Sequence, residues 1–133
     1  VAEMRSRGDQ PRISGAGNET NDEGGYVGTT ELLQRFPDVS AVFTANDTMA
    51  LGARAALREV GREVPHDVVL VGYDDSQLAR SRFLDLTTVD QRGLDVGKVA
   101  ADALLRRLAD PEAEPTNTVL PPRLVVRSST AQV

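Results

Sequence analysis

Two apolar runs, each closed by a pair of polar residues, constrain this chain most. They are "SAVFTAND" (40–47) and "VVLVGYDD" (68–75). Both are apolar throughout rather than alternating, the pattern of strands covered on both faces. Between them "TMALGARAALREVG" (48–61) reads as a helix that Asp47 can cap at its start and Gly61 at its end, with Pro65 just beyond. Strand, helix and strand in so short a span make a parallel unit. Right-handed crossovers then bring both strand ends to one edge of the sheet.

The rest of the chain keeps this alternation. Residues 1–8, "VAEMRSRG", read as the tail of a helix stopped by Gly8, so the chain begins inside a helix, as part of a longer polypeptide would. "PRISG" (11–15) reads as a short strand. "ETNDEGGYVGTTELLQRF" (19–36) reads as a helix with Thr20 and Glu23 as a capping box, though Gly24, Gly25 and Gly28 weaken it. "SQLARSRFL" (76–84) is a short helical stretch, "LTTVDQ" (86–91) a strand. "LDVGKVAADALLRRLAD" (94–110) is a strong helix with Val96, Val99, Ala100, Ala103, Leu104 and Leu108 in one apolar stripe. "TVLPPRLVVRSST" (118–130) is a strand interrupted by Pro121 and Pro122. The expected fold class is α/β, a parallel sheet with helices on both faces.

Composition narrows the chemistry. The 133 residues include no cysteine and one histidine, His66, which leaves little for a zinc site or a Ser-His or Cys-His catalytic unit. The absence of cysteine fits a reducing compartment. A net charge of −5 argues against the bulk of the chain being a nucleic-acid surface. No apolar run approaches the roughly 18 residues of a membrane span.

Ligands of open parallel sheets bind outside the carboxyl ends of the strands. Two strands end there in Asn46-Asp47 and Asp74-Asp75. Asn46 offers a donor and an acceptor, and Asp74 accepts from two hydroxyls at once, which suits a neutral polyhydroxylated ligand better than an anion. The structural alternative is that Asp47 caps the following helix, and that Asp75 does the same, or forms a turn, before Ser76. "SGAGNET" (14–20) follows a strand as a dinucleotide fingerprint would, but Thr20 stands where the third glycine belongs. On the 48–60 helix, Met49, Ala53, Ala56, Leu57 and Val60 should pack on the sheet. Leu51, Arg54 and Arg58 share another face, which with Arg82 and Phe83 reads either as solvated surface or as a subunit contact. Asp74 and Asp75, as neighbours on a strand, point to opposite faces and are poorly placed to act as an acid–base pair. No enzyme activity is expected.

"AVFTANDTMALGARAALREVGREVPHDVVLVGYDD", then "LTTVDQ", then "LPPRLVVRSST", closely resembles the C-terminal part of the lactose-repressor/galactose-repressor family of bacterial transcription regulators. That resemblance implies a periplasmic-binding-protein-like, two-lobed effector-binding core, present here only in part and without its first C-terminal-lobe strand. It implies that Asn46 and Asp74 line the effector pocket, with Gln91 at a hinge crossing beside it. It implies a homodimer interface at Leu51, Arg54 and Arg58 and at Ser81, Arg82 and Phe83. Residues 1–89 would belong to the C-terminal lobe. Residues 90–120 would return to the N-terminal lobe, and residues 121–133 would supply the final strand of the C-terminal lobe. Relatives often carry proline where this chain has Asp85. A lobe without a central strand leaves backbone edges unpaired, which a neighbouring chain could complete.

The function implied is the effector-binding and dimerisation part of a cytoplasmic regulator responding to a sugar or related small metabolite. It would need no cofactor or metal, make no membrane contact, and touch DNA only through a domain outside this chain. The alternative is a sugar-binding protein of a transport system, which a secretion signal upstream would mark.

Overall fold

The computed structural model describes residues 6, 8, 10–15 and 19–131. The helix tail expected at 1–8 and the turn at 14–20 therefore lie partly outside the described residues, although Gly8 takes φ +87°. Seven elements follow in the order α1 (Asp22–Arg35), β1 (Ala41–Phe43), α2 (Asp47–Glu59), β2 (Val69–Tyr73), β3 (Thr87–Asp90), α3 (Gly93–Ala109) and β4 (Arg123–Val125).

The sheet order is β1-β2-β3-β4. The first three strands are parallel, with Val42 opposite Leu70 and Gly72 opposite Thr88. The last is antiparallel, with Arg123 opposite Asp90. That register has a topological meaning. The chain leaves the sheet at the carboxyl end of β3, makes α3 and the loop after it, and re-enters at the same edge.

Helices cover one face of the sheet among the described residues. Val42, Leu70 and Leu86 meet Ala50, Ala53 and Leu57 of α2 in a core that Val68, Ala79 and Leu84 complete. Opposite, Phe43 is 64% exposed, so β1 is covered on one side rather than two. Val60, expected on the packed stripe, is exposed because it already follows the last residue of α2.

The glycines that weaken α1 as an isolated helix are explained by its partner. A Cβ on Gly25 would collide with the Met49 carbonyl, and one on Gly52 with the Asp22 carbonyl. The two helices approach so closely that their backbones touch, and the packing offsets the poor helix propensity.

Three local expectations are corrected. Asn21, not Thr20, caps α1, its Oδ1 accepting from Gly24 N–H at 2.9 Å. Residues 11–15 pair with no strand among the described residues, and they are tied instead by Ser14 to Glu31 and by Arg12 to Asp38. Residues 76–84 form hydrogen-bonded turns rather than a helix, closed by Ser81 N–H to Leu78 O (3.0 Å) and Asp85 N–H to Ser81 O (2.8 Å).

Candidate functional site

The parallel register places the ends of β1, β2 and β3 along one edge. Asn46, Asp74 and Gln91 all lie just beyond those ends. Asn46 is the N-cap of α2: Oδ1 accepts from Met49 N–H at 2.7 Å, and Nδ2 donates to Thr20 O at 2.9 Å. Each polar atom keeps one further hydrogen-bonding position. Asp74 and Gln91 meet directly, Gln91 Nε2 donating to Asp74 Oδ1 at 2.8 Å. No hydrogen bond among the described residues joins Asn46 to that pair.

Asp74 is held in an unusual conformation. Its φ is +114° and that of Asp75 is +49°. A residue with a side chain at the first of these angles carries strain of about 1–3 kcal/mol. The strand ladder still accounts for its backbone, since Asp74 N–H donates to Val89 O at 2.9 Å. Burial, and after it the negative charge of Asp47, pushes the Asp74 carboxyl above the usual carboxylate range. Hydrogen-bond donors on this carboxylate would favour its charged form and oppose both effects.

Asp47 does not cap α2, as one sequence reading had it, because Asn46 takes that place. Its buried carboxylate ties three segments together. Oδ1 accepts from Thr88 Oγ1 at 2.6 Å, and Oδ2 accepts from Ser76 N–H at 2.7 Å. Gly72 makes room for it, since a Cβ there would strike Asp47 Oδ1 and Leu86.

Asp75 is not the cap or turn former expected ahead of Ser76. Its carboxylate, 9% exposed, sits between two guanidinium groups: Arg127 Nη2 donates to Oδ1 at 2.6 Å and Arg80 Nη2 to Oδ2 at 2.5 Å. Burial alone would push its carboxyl up, but the hydrogen bonds and charges of the two arginines outweigh it and hold it below the ordinary value. The side-chain cap of the turn is Ser76, whose Oγ accepts from Ala79 N–H at 3.4 Å. Sequence reasoning missed this arginine pair. Arg127 stands 52 residues from Asp75, and only the antiparallel return of β4 brings them together.

Away from that edge, a concavity of about 960 Å³ is lined by Leu51, Arg54, Arg58 and Phe83, with Tyr26 and His66 among its other walls. Arg54 is fixed there, Nη1 donating to Leu84 O at 3.0 Å while the guanidinium lies 5.1 Å from the Phe83 ring centroid. Ser81 and Arg82 precede Phe83 on the same turn but do not line this groove. His66, from the loop before β2, does.

A model of the periplasmic binding protein-like domain matches residues 2–130. The chain belongs to this family. Its relatives are transcription regulators of the LacI family. The chain is 43% identical over 107 residues to the HTH-type transcriptional regulator CelR of Thermobifida fusca, covering 80% of this chain and 32% of that one. It is 37% identical over 106 residues to the ribose operon repressor of Escherichia coli K12, with the same two shares. A LacI-family regulator from Corynebacterium glutamicum superposes with a TM-score of 0.85 at 39% identity, over 98% of this chain and 50% of that one. The CelR–cellobiose complex superposes with a TM-score of 0.83 at 36% identity, over 96% and 39%. The chain thus spans about a third of the length of the curated relatives it matches.

Proposed function

We propose that this chain is the effector-binding and dimerisation part of a bacterial transcription regulator that responds to a sugar or related small metabolite. The observation that carries this reading is the shared strand edge, where Asp74 and Gln91 are bonded to each other and Asn46 stands on the neighbouring strand end. Relatives solved with cellobiose, lactose or ribose support the ligand class. The repressor names of the relatives favour regulation over the transport alternative, and over an enzyme. DNA is contacted only through another domain, and the protein works in the cytoplasm without a metal or cofactor.

The lobe assignment rests on the excursion between β3 and β4. Residues 1–89 form one lobe, residues 90–120 reach into the other, and residues 121–133 return. In support, α3 has no buried residue, with Leu94, Leu104 and Leu108 at 76%, 60% and 69% exposure. The dimer face is the surface at Leu51, Arg54, Arg58, Ser81, Arg82 and Phe83. Its support is the arginine already fixed against a 56% exposed phenylalanine.

Calorimetry of the full-length protein with ribose, cellobiose and lactose tests the effector. Binding of one of them, weakened about a hundredfold by Asp74→Ala as expected when a charge-assisted hydrogen bond is lost, would support the pocket. Unchanged affinity in that variant would remove Asp74 from it.

A further inference from the structure

Asp74 cannot reach its position by default. Two successive aspartates take positive φ, +114° and +49°, at the end of a strand whose ladder runs straight up to them. Such a conformation persists only where surrounding contacts over-determine it. Among the described residues the Asp74 side chain makes one hydrogen bond, to the exposed amide of Gln91. Asp75, one residue on, is held at every polar atom. Its N–H donates to Thr88 Oγ1 at 3.3 Å. Its carbonyl accepts from Arg80 Nη2 at 3.3 Å. Its two carboxylate oxygens are divided between Arg80 and Arg127.

The two arginines are unequal. Arg80 is 61% exposed and comes from the turn that follows. Arg127 is 15% exposed and is itself fixed, with Nη1 donating to Leu86 O at 2.8 Å and its backbone N–H to Thr87 Oγ1 at 2.8 Å. Behind it Ser129 Oγ donates to Leu70 O at 2.6 Å and accepts from Thr87 N–H at 2.8 Å. Through Arg127 the segment after β4 is therefore bolted to β2 and β3 and reaches the residue beside Asp74.

We propose that Asp75, clamped by Arg127 and Arg80, is the positioning residue that fixes the conformation of Asp74 and its contact with Gln91, so that the segment after β4 sets the effector-binding carboxylate without touching the effector. An ion pair at the surface would do little, but Asp75 and Arg127 are mostly removed from solvent and both carboxylate oxygens are hydrogen-bonded, so cutting that pair is felt locally. Removing the clamp lets the 74–75 backbone relax out of the positive-φ region, and Asp74 turns away from Gln91. The proposal rests on the reading of Asp74 as an effector ligand for its functional consequence, but not for the contact it predicts.

The test uses the full-length protein labelled with ¹⁵N-glutamine. The Gln91 side-chain amide is assigned as the signal lost in Gln91→Leu. In Arg127→Met that signal should move to the position of a free glutamine amide, and Arg127→Lys, which keeps a charged donor, should restore part of the shift. Affinity for whichever of ribose, cellobiose and lactose the unaltered protein binds best should fall about tenfold in Arg127→Met. A lowered Tm with the Gln91 signal unmoved would overturn the proposal and leave the ion pair a structural tie. If Arg127→Met does not fold, Arg80→Met on the exposed side of the clamp decides instead. A smaller shift in the same direction supports the proposal, and an unmoved signal overturns it. If none of the three sugars binds the unaltered protein, the Gln91 signal still decides the positioning role, and it is the reading of these sugars as effectors that falls.

Discussion

Helices α2 and α3 carry the same kind of apolar stripe and meet opposite fates. Six residues of α2 are buried, among them Ala50, Ala53, Ala56 and Leu57, whereas α3 buries none. The stripes differ in what they need. That of α2 is built largely from alanine and glycine, so the helix lies flat on the sheet and close against α1. That of α3 carries Val96, Leu104 and Leu108, which are exposed and need a partner surface. An amphipathic pattern says that a face must be covered; it does not say by what.

The comparison is broken most strongly on the α2 side. Leu57 is fully buried in the core. Leu57→Ala should cost about 2–5 kcal/mol of unfolding free energy, read from the denaturant midpoint of the full-length protein. A loss below about 1 kcal/mol would mean that α2 is not seated on the sheet as described. The matching change on α3, Leu104→Ala, sharpens the lobe assignment. If a second lobe covers that face, the same measurement should show a loss of about 1.5–3 kcal/mol. If the face stays in water, the change should be under about 0.5 kcal/mol and the assignment of residues 90–120 fails.

Gly52→Ala probes the feature of α2 that α3 lacks. An added methyl would press into the Asp22 carbonyl of α1, so a loss of about 1–3 kcal/mol is expected. Gly97→Ala on α3 meets nothing within 4 Å among the described residues and should stabilise by a few tenths up to about 1 kcal/mol if that face stays in water, but destabilise if a second lobe packs on it. Thermal or chemical unfolding of the pair separates a packed glycine from an incidental one.

How far the sequence could be read follows from the same contrast. The strands at 41–43, 69–73 and 87–90 and the helices between and after them were legible because their apolar runs and periodicities are local properties. The common edge of Asn46 and Asp74 was legible because parallel connections have one hand, whereas Gln91 came only with the family resemblance. The role of Asp75 was not, because it depends on Arg127, delivered by a strand whose direction no local signal fixes. The segment at 11–15 reads locally as a strand, but pairing needs a neighbour that local sequence does not supply. The capping box at Thr20 and Glu23 was a near miss: Asn21 is the stronger cap and wins by one residue.

The smallest expected effect lies at the two helix starts. Asn46 caps α2 with its side chain, whereas Arg92, at the same position on α3, has φ +57° and no side-chain cap. Asn46→Ala should therefore cost about 1 kcal/mol, and Arg92→Ala, which gives up a part-buried contact with Asp95 at 3.0 Å but no cap, about the same or less. Asn46 also stands on the proposed effector edge, so loss of the cap and loss of a ligand contact must be told apart. Asn46→Asp does so. It keeps an oxygen for Met49 N–H and leaves a carboxylate at the positive end of α2, so the cap should hold and stability should fall less than in Asn46→Ala, although the bond to Thr20 O is lost in both. It removes the amide donor, so affinity for a hydroxyl-bearing ligand should fall. A retained cap with undiminished affinity would reduce Asn46 to a helix cap, and the effector edge would then rest on Asp74 and Gln91 alone.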